Sequence, residues 1–581
     1  MQNIVRRFAF ALLLFAGLTA AQAGFAQGLP DPAGDWHGTL QTPQGAIMLG
    51  VTVSRAADGS LKAAVENADQ APGNKVPTSS ASVKDGQFTF EVAQVGASFT
   101  GSWNPAEQSW NGIFKQGAEL SLKLLKGPPP AKPVVAGLDG TWTGTITRNA
   151  VPLRLILHIR TTAQGTAILL DSPDQLANGL PVQALARDGQ KVSFKIAVSG
   201  ASYAGVLSGG MQFAGILAAP NRPNAPVDFT RSEATSERAP PKRPQTPQAP
   251  FPYTAEDVAF DNQVESGVHL AGTLTLPQRK GPFPAAILIT GSGQQDRDET
   301  LLGHKPFWII ADYLSRRGIA VLRVDDRGVG KSTGEVAQAT SADFATDSNA
   351  AFAYLKTRKE IRPNAIGFIG HSEGGMIGPI AMATNKDAAF LIMMAGPGTA
   401  LDRLMLSQRR LIGSSMGMSE AEINRVEPVM AALFKAVASG ATYENGLAAA
   451  RAVLTPDAMT TLGLPPTADR QIILAQVASP WFRYFFRYDP APNLRAIKVP
   501  VLAMNGGLDR QVPPAENLAA IKAALKDNKD VTIIELPGLN HLFQTAKTGA
   551  IGEYADIEET VAPAALDCMA QWIATRFGER R

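Results

Sequence analysis

The stretch Ile366-Gly367-Phe368-Ile369-Gly370-His371-Ser372-Glu373-Gly374-Gly375 decides how this 581-residue chain is read. A nearly uninterrupted apolar run enters a cluster of small residues, and a helix-like segment follows over 376–384. Such a run suits a strand buried on both faces of a parallel sheet, where neither face meets water and polar alternation is lost. Runs of the same kind stand at 285–290, 319–324, 390–394, 501–504 and 531–534. Helix-like stretches at 343–357, 515–525 and 563–577 fill the gaps. Strand and helix in alternation predict a doubly wound α/β sheet.

Gly370-His371-Ser372-Glu373-Gly374 has the form G-x-S-x-G. Between a strand and a helix this is a nucleophile elbow, in which small flanking residues permit a strained turn that exposes the serine hydroxyl. A serine hydroxyl attacks poorly until a base takes its proton and a third group orients that base. In this fold the partners follow in the order Ser, acid, His. His541 is the one histidine C-terminal to the elbow, in Gly538-Leu539-Asn540-His541 after the last expected strand, and Asn505-Gly506-Gly507-Leu508-Asp509 places Asp509 after the strand before it. Taken singly, His541 would read as a structural histidine and Asp509 as a helix cap. Their order and their positions just past strand C-termini name Ser372, Asp509 and His541 as a catalytic triad.

A tetrahedral oxyanion needs hydrogen-bond donors. One is expected from the backbone N–H of Glu373, and the other from Thr290-Gly291-Ser292-Gly293-Gln294, with Ser292 first and Gly293 as runner-up. This chemistry requires neither a metal nor an organic cofactor. Gly328-Val329-Gly330-Lys331-Ser332 ends like a P-loop, but the first glycine of G-x-x-x-x-G-K-S falls on Asp325, so the nucleotide motif fails.

With these residues in place, 253–581 resembles an α/β-hydrolase. Asp325-Asp326-Arg327-Gly328-Val329-Gly330-Lys331-Ser332 is similar to the D-x-R-G-x-G-x-S loop of that superfamily. Gly291-Ser292-Gly293-Gln294-Gln295-Asp296-Arg297-Asp298 resembles the oxyanion loop of a bacterial carboxylesterase-like branch, with Thr290 and Gln294 where that branch usually has His and Pro. Residues 399–497 exceed an ordinary crossover, and the spacing of Ile423, Val426, Met430 and Leu433 predicts helix, hence a helical cap. Trp481, Phe482 and Phe485, from the aromatic cluster 481–488, either pack within that cap or line a substrate pocket.

Upstream the texture is different. Arg6 and Arg7, the apolar run 8–18 and the small residues Ala21, Ala23, Gly24 and Ala26 match a signal peptide over 1–23, with cleavage after Ala23 or Ala26 left open. The run is well short of the ~20 residues that span a bilayer, so a secreted or periplasmic protein without an integral membrane segment is expected. Proline-rich linkers at 127–136 and 232–252 delimit two β repeats, 27–126 and 137–231. The repeats share Trp36-His37-Gly38-Thr39 with Trp142-Thr143-Gly144-Thr145, Asp85-Gly86-Gln87 with Asp188-Gly189-Gln190, and Gly96-Ala97-Ser98-Phe99 with Gly200-Ala201-Ser202-Tyr203. Short alternating runs between turn residues read as β-sandwich or barrel domains, with Trp36, Trp103, Trp110 and Trp142 as core rather than ligand platforms.

Composition narrows the partners. The 54 basic and 51 acidic residues leave no large positive field, so nucleic acid is not expected. The lone Cys568 forms no intramolecular disulfide. The expectation is a secreted carboxylesterase acting on small-molecule esters of short to medium acyl chains, with homo-oligomerisation through the β repeats left open. Alternatives are a serine peptidase of aminopeptidase or prolyl type, and an envelope binding protein with a vestigial hydrolase domain. Peptidases need fixed carboxylates for an amino terminus. Here the candidates are Glu373, Asp296, Asp298 and Glu299, the last three expected to pair with Arg297 and brace their own loop.

Overall fold

Two antiparallel meanders form from the alternating N-terminal sequence. The computed structural model describes residues 30–578 apart from 43–44, 71–72, 117, 176, 197–198, 220–222, 233–241, 441 and 465–469, so the expected signal peptide lies outside the described residues. In the first meander, strand Gly34–Thr42 pairs with both Gly45–Arg55 and the last strand, Ala118–Lys126. Its nine strands end at Val76–Pro77 on one side and Ser80–Lys84 on the other, leaving the sheet open. In the second, Gly140–Arg148 pairs with Gly45's counterpart strand Val151–Thr162 and with Ala225–Ser232, and the eight strands close into a barrel.

Both meanders carry the same internal anchor. Trp36 donates its indole N–H to the Pro32 carbonyl and Trp142 to that of Leu138, four residues upstream and at 2.7 Å in each case. A cation from the last strand, Lys126 or Arg231, lies over each ring. Trp36, Trp110 and Trp142 are completely buried, and Trp103 packs edge-on against Trp36 and Trp110. These indoles are core residues.

The proline-rich stretches are more than spacers. Val135 is buried in the barrel core, where the Thr166 N–H donates to the Pro133 carbonyl at 3.1 Å. Further on, the Arg243 guanidinium donates to the carbonyls of Leu302, Ala555 and Ile557 at 2.8–3.0 Å, and Gln245 holds the backbone of Thr560 and Val561. Proline removes N–H donors but leaves neighbouring side chains free to dock.

The C-terminal sheet contains β1 (Tyr253–Asp261), β2 (His269–Pro277), β3 (Phe283–Ile289), β4 (Ala320–Val324), β5 (Ile361–His371), β6 (Leu391–Met394), β7 (Val501–Gly506) and β8 (Val531–Leu536). Their spatial order is β1-β2-β4-β3-β5-β6-β7-β8, antiparallel at β1–β2 and β2–β4 and parallel from β4 onward. Connecting helices α1 (Pro306–Ser315), α2 (Ser341–Lys356) and α3 (Gly374–Thr384) precede β6. Seven more, among the described residues, stand between β6 and β7: α4 (Leu401–Ser415), α5 (Glu420–Ser439), α6 (Tyr443–Val453), α7 (Pro456–Thr461), α8 (Arg470–Val477), α9 (Pro480–Arg487) and α10 (Ala491–Ala496). Helices α11 (Pro514–Ala524) and α12 (Pro563–Phe577) complete the set.

Apolar clusters cover both sheet faces. Ile287, Phe368 and Val501 pack with residues of α2, α3 and α11, while Val321, Ile369 and Met504 pack with residues of α1 and α12. The expected doubly covered strand at 531–534 is only half-buried, because β8 lies at the sheet edge and has a neighbour on one side. The barrel touches the C-terminal part at several points, among them Arg148 pairing with Glu422 of α5 and Arg154 with Asp556 at 2.9 Å.

Arg243→Ala in the full chain should lower the stability of the α/β part by about 2 kcal/mol, since charge-assisted hydrogen bonds to several carbonyls are lost together. Thermal unfolding followed by a probe of the C-terminal core is the measurement. An unchanged melting curve would show that the Arg243 hydrogen bonds contribute nothing.

Candidate active site

Strand β5 ends in a turn that only small residues can make. A Cβ on Gly370 would stand 2.0 Å from the Gly374 carbonyl oxygen, and one on Gly374 would stand 2.1 Å from that of Ile289. Helix α3 therefore starts directly against β3 and β5. Between these glycines Ser372 takes φ 52°, in the left-handed region, which turns its side chain out of the sheet. Its N–H donates to the Met394 carbonyl at 2.8 Å, which ties the turn to β6.

The structure brings Ser372, His541 and Asp509 together. His541 Nδ1 lies 2.8 Å from Asp509 Oδ2, and His541 Nε2 lies 3.1 Å from Ser372 Oγ. A carboxylate only accepts, so Nδ1 carries the proton and Nε2 is left to accept from the serine hydroxyl. Asp509 and His541 are both buried. The other carboxylate oxygen of Asp509 accepts the N–H groups of Gln511 and Val512 at 2.7 and 2.9 Å, which fixes the carboxylate plane.

The loop after β3 is held by acids on the neighbouring strand end. Asp326 accepts from Thr290 Oγ1 at 2.7 Å and from the Gln295 N–H at 2.9 Å, clasping both ends of the glycine-containing segment. Burial pushes the Asp326 carboxyl up to about 7, against these two hydrogen bonds and with help from the nearby charges of Glu299 and Glu373. The expected pairing of Arg297 with its sequence neighbours is not what forms. Arg297 turns away to Asp325, at 2.7 Å, and to Asp257, at 3.2 Å. Asp298 pairs with buried Arg323, Asp296 caps the turn by accepting the N–H groups of Asp298 and Thr300, and Glu299 points inward to His371 at 2.9 Å. Successive side chains of this tight loop leave in different directions, so adjacency in sequence does not become contact.

A cavity of about 340 Å³ opens over Ser372. Ser292, Glu373 and His541 line it, and helices α4 and α9 supply Leu404, Met405, Gln408, Trp481, Phe482 and Phe485. All three aromatic candidates thus face the cavity, with Trp481 stacked on Phe485 and edge to face with Phe482. Ser292 is on this side of the loop, whereas Gly293 faces a separate small space among β3, β4 and α2. The Glu373 carboxylate is buried and accepts from Ser341 Oγ at 2.6 Å and Trp481 Nε1 at 2.8 Å. Burial raises its pKa despite those donors.

Several residues here escaped the sequence reading. His371, Ser341, Asp326, Gln511 and His304 all contribute to or support the cavity. A polar residue inside an otherwise apolar strand end, as at His371, was the available signal, but its partner lies 72 residues away. Among the described residues no group of three or more His, Cys, Asp or Glu is arranged to hold a metal ion, and no helix is long and apolar enough to cross a membrane.

A family model described as serine aminopeptidase, S33, matches residues 307–545, a span that runs from α1 through the elbow, Asp509 and His541. The chain carries an α/β-hydrolase domain. Esterase EstD of Thermotoga maritima is 29% identical over 277 residues, or 47% of this chain; the match spans 58% of that relative's length. Among solved structures, the Pyrococcus furiosus esterase Pf2001 aligns with a TM-score of 0.34 at 15% identity, over 56% of this chain and 94% of the esterase. The α/β hydrolase GrgF from Penicillium aligns with a TM-score of 0.36 at 18% identity, over 56% of this chain and 100% of its own.

The raised Asp326 carboxyl has a consequence for the hydrolase domain's stability. A folded-state pKa above the unfolded value contributes stability that is complete below about pH 4 and is lost as pH rises through about 7. Asn can still accept from the Gln295 N–H and donate to the Thr290 hydroxyl. Asp326→Asn should therefore gain thermal stability relative to the parent as pH goes from 5 to 8. A melting-temperature difference that is constant over that range would contradict the assignment.

Proposed function

We propose that this protein is an exported serine hydrolase that cleaves carboxylic esters of short to medium acyl chains through an acyl-enzyme on Ser372. The observation that carries the reading is the hydrogen-bonded sequence Ser372–His541–Asp509 at a left-handed elbow beneath an apolar cavity. His541 Nε2 takes the serine proton as Oγ attacks the ester carbonyl, then returns it to the leaving alkoxide. Asp509 keeps the ring in the required tautomer and stabilises the imidazolium. The N–H of Glu373, at the start of α3, and the N–H of Ser292 are the donors for the oxyanion, with Gly293 the runner-up. Water then repeats the sequence on the acyl-enzyme. The similarity to an esterase of Thermotoga maritima supports the ester as substrate class, and the N-terminal composition of 1–23 supports export.

A serine peptidase is the second reading, because the matching family model carries that description. Against it stands the state of the cavity's carboxylates. Glu299 is engaged by His371, Glu373 by Ser341 and Trp481, and Asp509 by His541 and two backbone N–H groups. An incoming ammonium would meet carboxylates that already serve as acceptors for the cavity's own donors. The apolar wall from α4 and α9 suits an acyl chain better. A vestigial hydrolase domain serving an envelope binding protein is disfavoured by the intact tautomer-fixing geometry.

Ser372→Ala should reduce kcat/KM for p-nitrophenyl esters by about 10⁴-fold or more, and Asp509→Asn should reduce kcat by roughly 10⁴-fold. The assay pairs esters from acetate to decanoate with aminoacyl and prolyl anilides. Hydrolysis retained by Ser372→Ala defeats the mechanism, and an anilide within about tenfold of the best ester defeats the substrate class.

A further inference from the structure

We propose that Glu299 and His371 form a charged strut that positions the oxyanion loop, the nucleophile elbow and the base loop against one another; this rests on reading Ser372 as the nucleophile. Neither residue enters the Ser372–His541–Asp509 sequence, yet together they reach the loop after β3 at Gly291 and the base loop at His541. Glu299 Oε1 accepts the Gly291 N–H at 2.7 Å and faces His371 Nδ1 at 2.9 Å. His371 Nε2 in turn lies 3.0 Å from the His541 carbonyl oxygen. Gly291 precedes Ser292, His371 precedes Ser372, and His541 is the base itself.

The protonation state follows from the partners. A backbone carbonyl accepts and never donates, so Nε2 must carry a proton. The carboxylate oxygen at Nδ1 already accepts one N–H and receives a second from the ring. Both ring nitrogens are therefore donors, and His371 is an imidazolium buried against its counter-ion. Burial alone would lower its pKa, but the charge of Glu299 and their hydrogen bond outweigh that, with Asp509 adding to the attraction, and hold it above the ordinary histidine value. The His541 ring stands 5.0 Å away, and Asp326 is the other acid near Glu299. His304, buried in the same cavity wall, makes the contrast. Its Nδ1 faces the Thr560 hydroxyl and its Nε2 faces the Tyr554 carbonyl and the Gln544 side-chain amide, none of them a carboxylate, and burial lowers it to about 4.

Contact is close enough to transmit a shift. A Cβ on Gly291 would stand 3.3 Å from Ser372 Cβ and 3.2 Å from Glu299 Oε1, so loop and elbow have no slack between them. Glu299 is itself locked, with φ 52° and its N–H donating to the Asp296 carbonyl at 2.9 Å. Removing its charge leaves a buried cation unpaired and weakens the acceptor that holds Gly291, which displaces the oxyanion donor while leaving the apolar wall from α4 and α9 in place. Glu299 and His371 are thus positioning residues.

The test uses the full-length chain, a fluorophosphonate that labels the nucleophile, and an activated acyl ester. Glu299→Gln should slow labelling and lower kcat by roughly 10- to 100-fold while KM changes by less than about twofold. Glu299→Gln combined with His371→Asn should be no slower than the worse single variant, because the two act as one unit. Equal labelling rates in the parent and Glu299→Gln overturn the strut. A parent protein that takes no label overturns instead the reading of Ser372. Nitrogen NMR of histidine-labelled parent protein at pH 8 gives an answer that needs no variant: one protected ring with both nitrogens protonated supports the strut, and its absence overturns it.

Discussion

At Ser372 the backbone stands at φ 52°, where a residue with a Cβ is strained by about 1–3 kcal/mol unless its surroundings impose the conformation. The imposition comes from three backbone segments in contact. Gly370 meets Gly374, Gly374 meets the end of β3, and Gly375 meets Gly396 after β6. No side chain fits at these contacts, so β3, β5 and β6 deliver their C-terminal loops to one point. The serine hydroxyl, the cavity and the start of α3 are all placed by that convergence.

What then has to be solved is charge. The loops around Ser372 carry Glu299, Asp325, Asp326, Glu373 and Asp509, each largely withdrawn from water. Buried carboxylates persist when donors surround them. Here the donors are backbone N–H groups, hydroxyls, an indole and the cations Arg297 and His371. The same bonds that satisfy the charges fix the loops. The loops around the cavity are thereby held in place by their own hydrogen bonds.

The helices between β6 and β7 complete the enclosure. Trp481 reaches from α9 to Glu373, the residue after Ser372, so the apolar wall and the elbow share a hydrogen bond. The β-barrel contacts α5 and the segment before α12, which lie on different parts of the hydrolase domain. Its hairpin at Arg148 and Asn149 holds the turn between α4 and α5, with Asn149 donating to the Gly417 carbonyl at 2.7 Å. The barrel is therefore in contact with the turn that follows α4, one of the helices that wall the cavity.

Local chemistry made much of this legible in the sequence alone. Continuous apolar runs announce strands covered on both faces, and the small residues about Ser372 announce the turn, because both are consequences of sterics and solvent within a few residues. The order of Ser372, Asp509 and His541 named the residues that meet, and the repeated Trp-x-Gly-Thr segments named the strands that carry Trp36 and Trp142. Side-chain partners across the loops were another matter. Arg297 was expected beside Asp296, Asp298 and Glu299 and instead reaches Asp325, while Glu299 finds His371. Nor did composition distinguish an open nine-stranded sheet from a closed barrel, since closure depends on whether the first and last strands and every intermediate pair meet in register. Sequence determines which residues are polar, small or buried; which donor meets which acceptor is decided only when distant strand ends are brought within hydrogen-bonding distance of about 3 Å.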